Sequence, residues 1–95
     1  MEKLAQVLTE VCAVIEDRKE KMPEGSYTTY LFTKGQDKIL KKVGEETAEV
    51  IIASKNNVKE EIIYETSDLV YHLSVLLSYH NISWDEVAEE LKKRR

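Results

Sequence analysis

An all-α fold is predicted for this chain by three observations. Apolar residues recur at helical spacing, turn-forming residues are confined to short breaks, and no strand-forming run has a partner. The pattern describes four helices joined by short connections, with one longer loop after the first, which is a small four-helix bundle. Ninety-five residues make a single domain, residues 1–95. A chain of that length buries only about 60–70% of the surface it exposes unfolded, so its core is limited. Pairing with a second copy would supply the rest.

Leu4, Val7, Leu8, Val11, Val14 and Ile15 share a face and predict a first amphipathic helix over residues 2–20. Met22-Pro23-Glu24-Gly25-Ser26 ends it, with Pro and Gly marking the long loop. Residues 26–32 are rich in Thr and aromatics; an extended conformation suits them, but they are too isolated to build a sheet. Thr33-Lys34-Gly35-Gln36 has capping-box form and predicts a second helix from there to about Ser54. Asn56-Asn57 breaks the pattern, and Asn57 with Glu60 has the form of a cap for a third helix over residues 58–79. After His80-Asn81-Ile82, the box Ser83-Trp84-Asp85-Glu86 opens a last helix whose Trp84, Val87, Ala88 and Leu91 share a face.

Composition narrows the function classes. A net charge of −4 argues against nucleic acid as the main partner. The basic end, Lys92-Lys93-Arg94-Arg95, reads as a solvated complement to the last helix dipole. Cys12 is the only cysteine, which fits a reducing cytosol, and its helical neighbourhood favours packing over reactivity. No secretory segment or bilayer-spanning stretch is recognised, so a cytoplasmic protein without a membrane partner is expected. No E-x-x-H pair, H-E-x-x-H, zinc Cys/His array, EF-hand loop or phosphate-binding glycine loop occurs.

Acidic residues carry the clearest chemical signal. Glu45, Glu46 and Glu49 form E-E-x-x-E, and Glu65 with Asp68 forms E-x-x-D on the next helix. At about 100° per residue, Glu45 and Glu49 stand within roughly 40° of each other. Like charges three or four residues apart cost about 0.2–0.5 kcal/mol per pair, so these arrangements are locally unfavourable. A hard divalent cation, which takes oxygen ligands, would reverse the sign. Lys34, Lys38, Lys41 and Lys42 lie on the same side as Glu45, within about 60°. Ammonium groups leading into a carboxylate cluster suit a metal-bound polyphosphate. The plainer reading is a solvated face with Lys41–Glu45 and Lys42–Glu46 as surface pairs, although Lys-before-Glu is the weaker order.

On the third helix, Glu65 borders the apolar stripe of Ile62, Leu69, Leu73 and Leu76, with Asp68 and His72 flanking it on the other side. A carboxylate at a core edge needs a partner, because desolvating it alone is costly. With three further acids on the neighbouring helix, a metal is favoured over a lysine. His72 has several readings: ligand, orienting group, phosphate donor, or a partly buried histidine with a local hydrogen bond. His80, near a helix end, suits a capping or dipole role. Tyr64, Tyr71 and Tyr79 suit packing or dimer contacts.

The segments Lys41-Lys42-Val43-Gly44-Glu45-Glu46-Thr47-Ala48-Glu49-Val50 and Tyr64-Glu65-Thr66-Ser67-Asp68-Leu69-Val70-Tyr71-His72 resemble the phosphoribosyl-ATP pyrophosphatases. These belong to the all-α nucleoside-triphosphate pyrophosphohydrolase (MazG-like) superfamily, whose signature is matched at Glu45, Glu46, Glu49, Glu65 and Asp68. Ser26-Tyr27-Thr28, Leu31-Phe32 and Lys34-Gly35-Gln36-Asp37-Lys38 point to the histidine-pathway branch. Thr47 stands where many members have alanine.

The resemblance implies a MazG-like bundle completed as a homodimer, Mg²⁺ dependence, and hydrolysis of phosphoribosyl-ATP to phosphoribosyl-AMP and pyrophosphate. It further implies that the cyclohydrolase fused to some relatives is a separate chain here. On this reading Glu46, Glu49, Glu65 and Asp68 hold the metal. Glu45, Glu46 and Glu49 form the catalytic cluster, and Glu45 adds a ligand or orients water. Lys38 and Lys42 neutralise phosphate, with Lys34, Lys41 and His72 as further substrate contacts. Two rivals are a housecleaning pyrophosphohydrolase acting on other nucleoside triphosphates, and a non-catalytic helical dimerisation module.

Overall fold

Apolar spacing at the start of the chain produces α1 (Glu2–Lys21), which ends at Met22 in a left-handed conformation, φ 49°. The computed structural model describes residues 1–95 and adds α2 (Tyr27–Lys34), α3 (Gln36–Asn56), α4 (Lys59–Tyr79) and α5 (Trp84–Lys92). The fold is all-α, with five helices rather than four.

The extra helix is α2, formed by residues whose Thr and aromatic content suits an extended conformation. Ser26 is its N-cap and accepts a hydrogen bond from the Thr29 N–H at 3.2 Å. Thr28 and Leu31, three residues apart, are both buried on one face. Burial of that face outweighs the weak helix preference of Thr and Tyr.

Two expected caps do not form. Gly35 separates α2 from α3 at φ 90°, ψ −172°, a conformation open essentially to glycine alone, so Thr33 remains inside α2. Asn57 is the left-handed C-cap of α3, φ 58°, and Val58 occupies the N-cap of α4 without a side-chain bond. The Ser83–Glu86 box does form: the Ser83 N–H donates to Glu86 at 2.8 Å, and the Glu86 N–H donates to Ser83 at 3.2 Å. His80 is the C-cap of α4, where its backbone N–H does the capping and its ring lies edge-on against Tyr79.

The core draws one fully buried residue from each of four helices: Ile15 of α1, Leu31 of α2, Ile39 of α3 and Val75 of α4. Burying each such side chain stabilises by about 1.5–3 kcal/mol. Val11, Phe32, Tyr71 and Leu76 pack around them. Lys19 ties α1 to the end of α4, donating to the Ser78 carbonyl and to Asn81 Oδ1. Cys12 is half-buried, and burial pushes its thiol above the ordinary value, consistent with a packing role. Helix α5 buries no residue and is held partly by Trp84 Nε1, which donates to Ser74 Oγ at 2.9 Å.

Only 10 of 95 residues are buried, and Ile51, Ile52, Ile63 and Tyr64 are more than half exposed, leaving the far end of the α3–α4 pair uncovered. No helix is long and apolar enough to cross a membrane.

Candidate active site

Helical spacing on α3 places Glu46 against α4, where its side chain is only 8% exposed. Lys42, one turn earlier, reaches it at 3.5 Å and Glu45 at 3.9 Å. Across from them α4 presents Asp68 and His72. The possible ligand atoms of Glu46, Asp68 and His72 lie within 4.8 Å of one another.

The electrostatics of this group are under-compensated. Burial pushes the Glu46 carboxyl above the ordinary glutamate value, and Asp68 adds to the shift by hydrogen bonding and like charge; Lys42 pulls it back only in part. Burial alone would lower Lys42, but Tyr27, Glu45 and Glu46 outweigh it and hold the ammonium above its ordinary value.

A second acidic pair lies along the same helices. Desolvation, then the Glu49 and Asp68 charges, raise Glu65 above the ordinary carboxylate value. Glu49 and Glu65 line a cleft of about 440 Å³ together with Glu61, Ile52, Ala53 and Tyr64. Oxygen donors that repel one another across this open cleft fit a hard divalent cation, which would remove the repulsion.

The other predicted residues sit further out. Glu45 is half exposed, with Lys42 as its ion-pair partner. Lys34 and Lys38 each lie 5.9 Å from the centre of the Tyr30 ring, beside α2 rather than within the acidic group. Lys41 is exposed. His72 is 2% exposed, with Nδ1 2.8 Å from the Asp68 carbonyl oxygen and Nε2 2.8 Å from the Tyr27 hydroxyl. Of the three tyrosines on α4, Tyr71 packs on the core and bonds Thr28, whereas Tyr64 and Tyr79 are exposed.

Tyr27 was missing from the sequence-derived set. Burial raises its hydroxyl, and the charges of Lys42, Asp68 and Glu46 all act on it, which places it in the same cluster. The signal for it in the sequence is Ser26 as a helix cap, since an extended 26–32 gives Tyr27 no defined direction.

The family described as phosphoribosyl-ATP pyrophosphohydrolase matches residues 8–95. A phosphoribosyl-ATP pyrophosphatase of Clostridium acetobutylicum is 58% identical over 89 residues, covering 94% of this chain and 81% of the relative. One from Pelotomaculum thermopropionicum is 52% identical, covering 94% and 91%. The histidine biosynthesis bifunctional protein HisIE of Bacillus subtilis is 56% identical over 88 residues, covering 93% of this chain and 42% of that longer protein.

Proposed function

Because this chain belongs to the phosphoribosyl-ATP pyrophosphohydrolase family, we propose that it hydrolyses phosphoribosyl-ATP to phosphoribosyl-AMP and pyrophosphate, the second step of histidine biosynthesis. The observation that carries the mechanism is the meeting of Glu46 from α3 with Asp68 from α4, beside a single lysine. Glu46, Glu49, Glu65 and Asp68 would hold Mg²⁺, the ion for which hard oxygen donors and a phosphate substrate are suited. When bound, Mg²⁺ stabilises phosphate charge and lowers the pKa of an attacking water. Glu45, exposed at the edge of the group, orients water or adds an oxygen. Lys42 meets the phosphates directly, Lys38 follows one turn earlier on α3, and Lys34 and Lys41 contribute at longer range. The protein supplies positioning and electrostatics, and no covalent intermediate is required.

The same reading makes residues 1–95 one catalytic domain that works as a homodimer in the cytoplasm, without nucleic-acid or membrane partners. Exposed Ile52 and Tyr64, which line the Glu49–Glu65 cleft, and exposed Ile51 and Ile63 on the same two helices support the pairing, since a second copy would cover them.

A substrate panel tests the activity. Pyrophosphate release should be far faster from phosphoribosyl-ATP than from canonical nucleoside triphosphates. Comparable rates on all would select the housecleaning activity. No release from any, with no metal-induced rise in melting temperature, would leave only a dimerisation module.

A further inference from the structure

Lys34 closes α2 and Lys38 stands in the first turn of α3, with the glycine-only backbone of Gly35 turning the chain between them. Both ammonium groups lie 5.9 Å from the centre of one ring, that of Tyr30. Neither makes a hydrogen bond or an ion pair with the rest of the chain, whereas Lys21 and Lys42 each reach a carboxylate. Two like charges gathered on one aromatic side chain, with no acid between them, are left to repel. Lys38 is half-buried, so water screens that repulsion only in part.

The ring that gathers them is itself held in place. Tyr30 stacks on Tyr27, with centroids 6.2 Å apart and planes 24° from parallel. The Tyr27 hydroxyl lies 2.8 Å from His72 Nε2, which ties the aromatic pair to the helix that carries Asp68. Tyr30 is nevertheless 42% exposed and Lys34 is exposed, so a solute can reach both.

Position relates this cationic pair to the acids. Lys38, Lys42 and Glu46 follow at four-residue intervals on α3, which sets Lys38 about 12 Å along the helix from Glu46. A ligand that spans both places needs a negative group at each end. Phosphoribosyl-ATP has them: a triphosphate on one ribose and a single phosphate on the other, with the purine between. ATP has only the first. A phosphate monoester carries nearly two negative charges at neutral pH, which matches two ammonium groups.

We infer that Lys34 and Lys38, gathered on Tyr30, bind the unreacting phosphate of the phosphoribosyl arm and thereby select phosphoribosyl-ATP over ATP. The identity of that arm rests on the reaction proposed above; recognition of a phosphate monoester does not. Lys42 is then the lysine of the reacting phosphates, and Lys34 and Lys38 serve the other end of the molecule.

Kinetics with two substrates tests the assignment. The readout is the preference for phosphoribosyl-ATP over ATP, with ATP measured as a competitor where its own turnover is too slow. The double variant Lys34→Met/Lys38→Met should lower that preference by about 10–100-fold, chiefly through a higher KM for phosphoribosyl-ATP. Lys42→Met should instead weaken both nucleotides alike and keep the preference near the wild-type value. Tyr30→Ala should lower the preference and Tyr30→Phe, which keeps the ring, should not. Equal losses on both nucleotides in the double variant would give both lysines to the shared triphosphate and overturn the inference.

A fragment reads the subsite without turnover. Ribose 5-phosphate titrated into nitrogen-15-labelled, metal-free wild type should shift the backbone amides of residues 34–38 saturably. Ribose should not shift them, and the double variant should not respond. Shifts no larger than those with ribose, or shifts that persist in the double variant, would overturn the inference. A wild type inactive on phosphoribosyl-ATP that still seats ribose 5-phosphate at these amides would remove the assigned reaction and leave the phosphate subsite standing.

Discussion

The two ends of the α3–α4 pair are built from the same kinds of residue but are finished differently. At the near end Glu46 is buried, paired with Lys42 and faced by Asp68, with His72 and Tyr27 locked behind. At the far end Glu49, Glu61 and Glu65 share an open cleft with no lysine, lined also by exposed Ile52 and Tyr64, and Ile51 and Ile63 on the same helices are exposed as well. The near end is organised by the chain itself. The far end carries unbalanced charge and uncovered apolar surface, the two features that a cation and a second copy would remove.

The largest effect should come from removing an acid at either end. Asp68→Asn and Glu49→Gln should each lower pyrophosphate release by about 10³-fold, since metal-assisted charge stabilisation is worth several kcal/mol. Circular dichroism should show helix content unchanged. Wild-type turnover in the Glu49 variant would confine the chemistry to the near end.

Next comes the uncovered surface. Ile63→Asp, on the exposed face of α4, should dissociate the protein, so that sedimentation equilibrium reports the mass of one 11.0 kDa chain. A dimer unaffected by Ile63→Asp and by Ile51→Asp would place the interface elsewhere.

At the near end, Gly35→Ala should destabilise by about 1–3 kcal/mol, because φ 90° with ψ −172° is closed to residues with a Cβ. No neighbouring atom stands in the way, so the cost is conformational and chemical denaturation should detect it. An unchanged midpoint would mean that the α2–α3 junction relaxes freely.

The smallest effect is a pH slope. Because the folded pKa of Glu46 lies above its unfolded value, the native state binds the extra proton between those two values. Its contribution to stability therefore falls as pH rises through that window, and the full penalty remains above it. Glu46→Gln should gain in Tm on the metal-free wild type as pH rises above the ordinary glutamate value, with melting curves across that rise as the check. An unchanging difference would mean that Glu46 is not held against Asp68.

Much of this arrangement was legible beforehand, for identifiable reasons. Long amphipathic runs gave α1, α3 and α4 nearly to their ends, because one wide apolar stripe dominates each. The Ser83–Glu86 box fixed the start of α5 by a purely local rule. Helix α2 is not legible in the sequence, because Thr and aromatic content describes local preference, whereas its helicity depends on burying Thr28 and Leu31 against other elements. The Asn57 and Thr33 boxes failed where left-handed or glycine-only backbone takes precedence over side-chain capping.

In the site, i to i+4 spacing placed Lys42 with Glu46 and Asp68 with His72. Spacing cannot say which of several acids faces the adjacent helix, nor that His72 points to α2. Contacts between helices, such as Tyr27 to His72, span 45 residues and have no periodic signature.

The central claim is that acids of α3 and α4 converge on one divalent-cation site that drives phosphoribosyl-ATP hydrolysis. Titrating Mg²⁺ into EDTA-treated protein while following pyrophosphate release tests it most directly. The account predicts no release without metal, saturable recovery with Mg²⁺ in the wild type, and none in Asp68→Asn. Turnover that ignores EDTA, or that persists in Asp68→Asn, would contradict it.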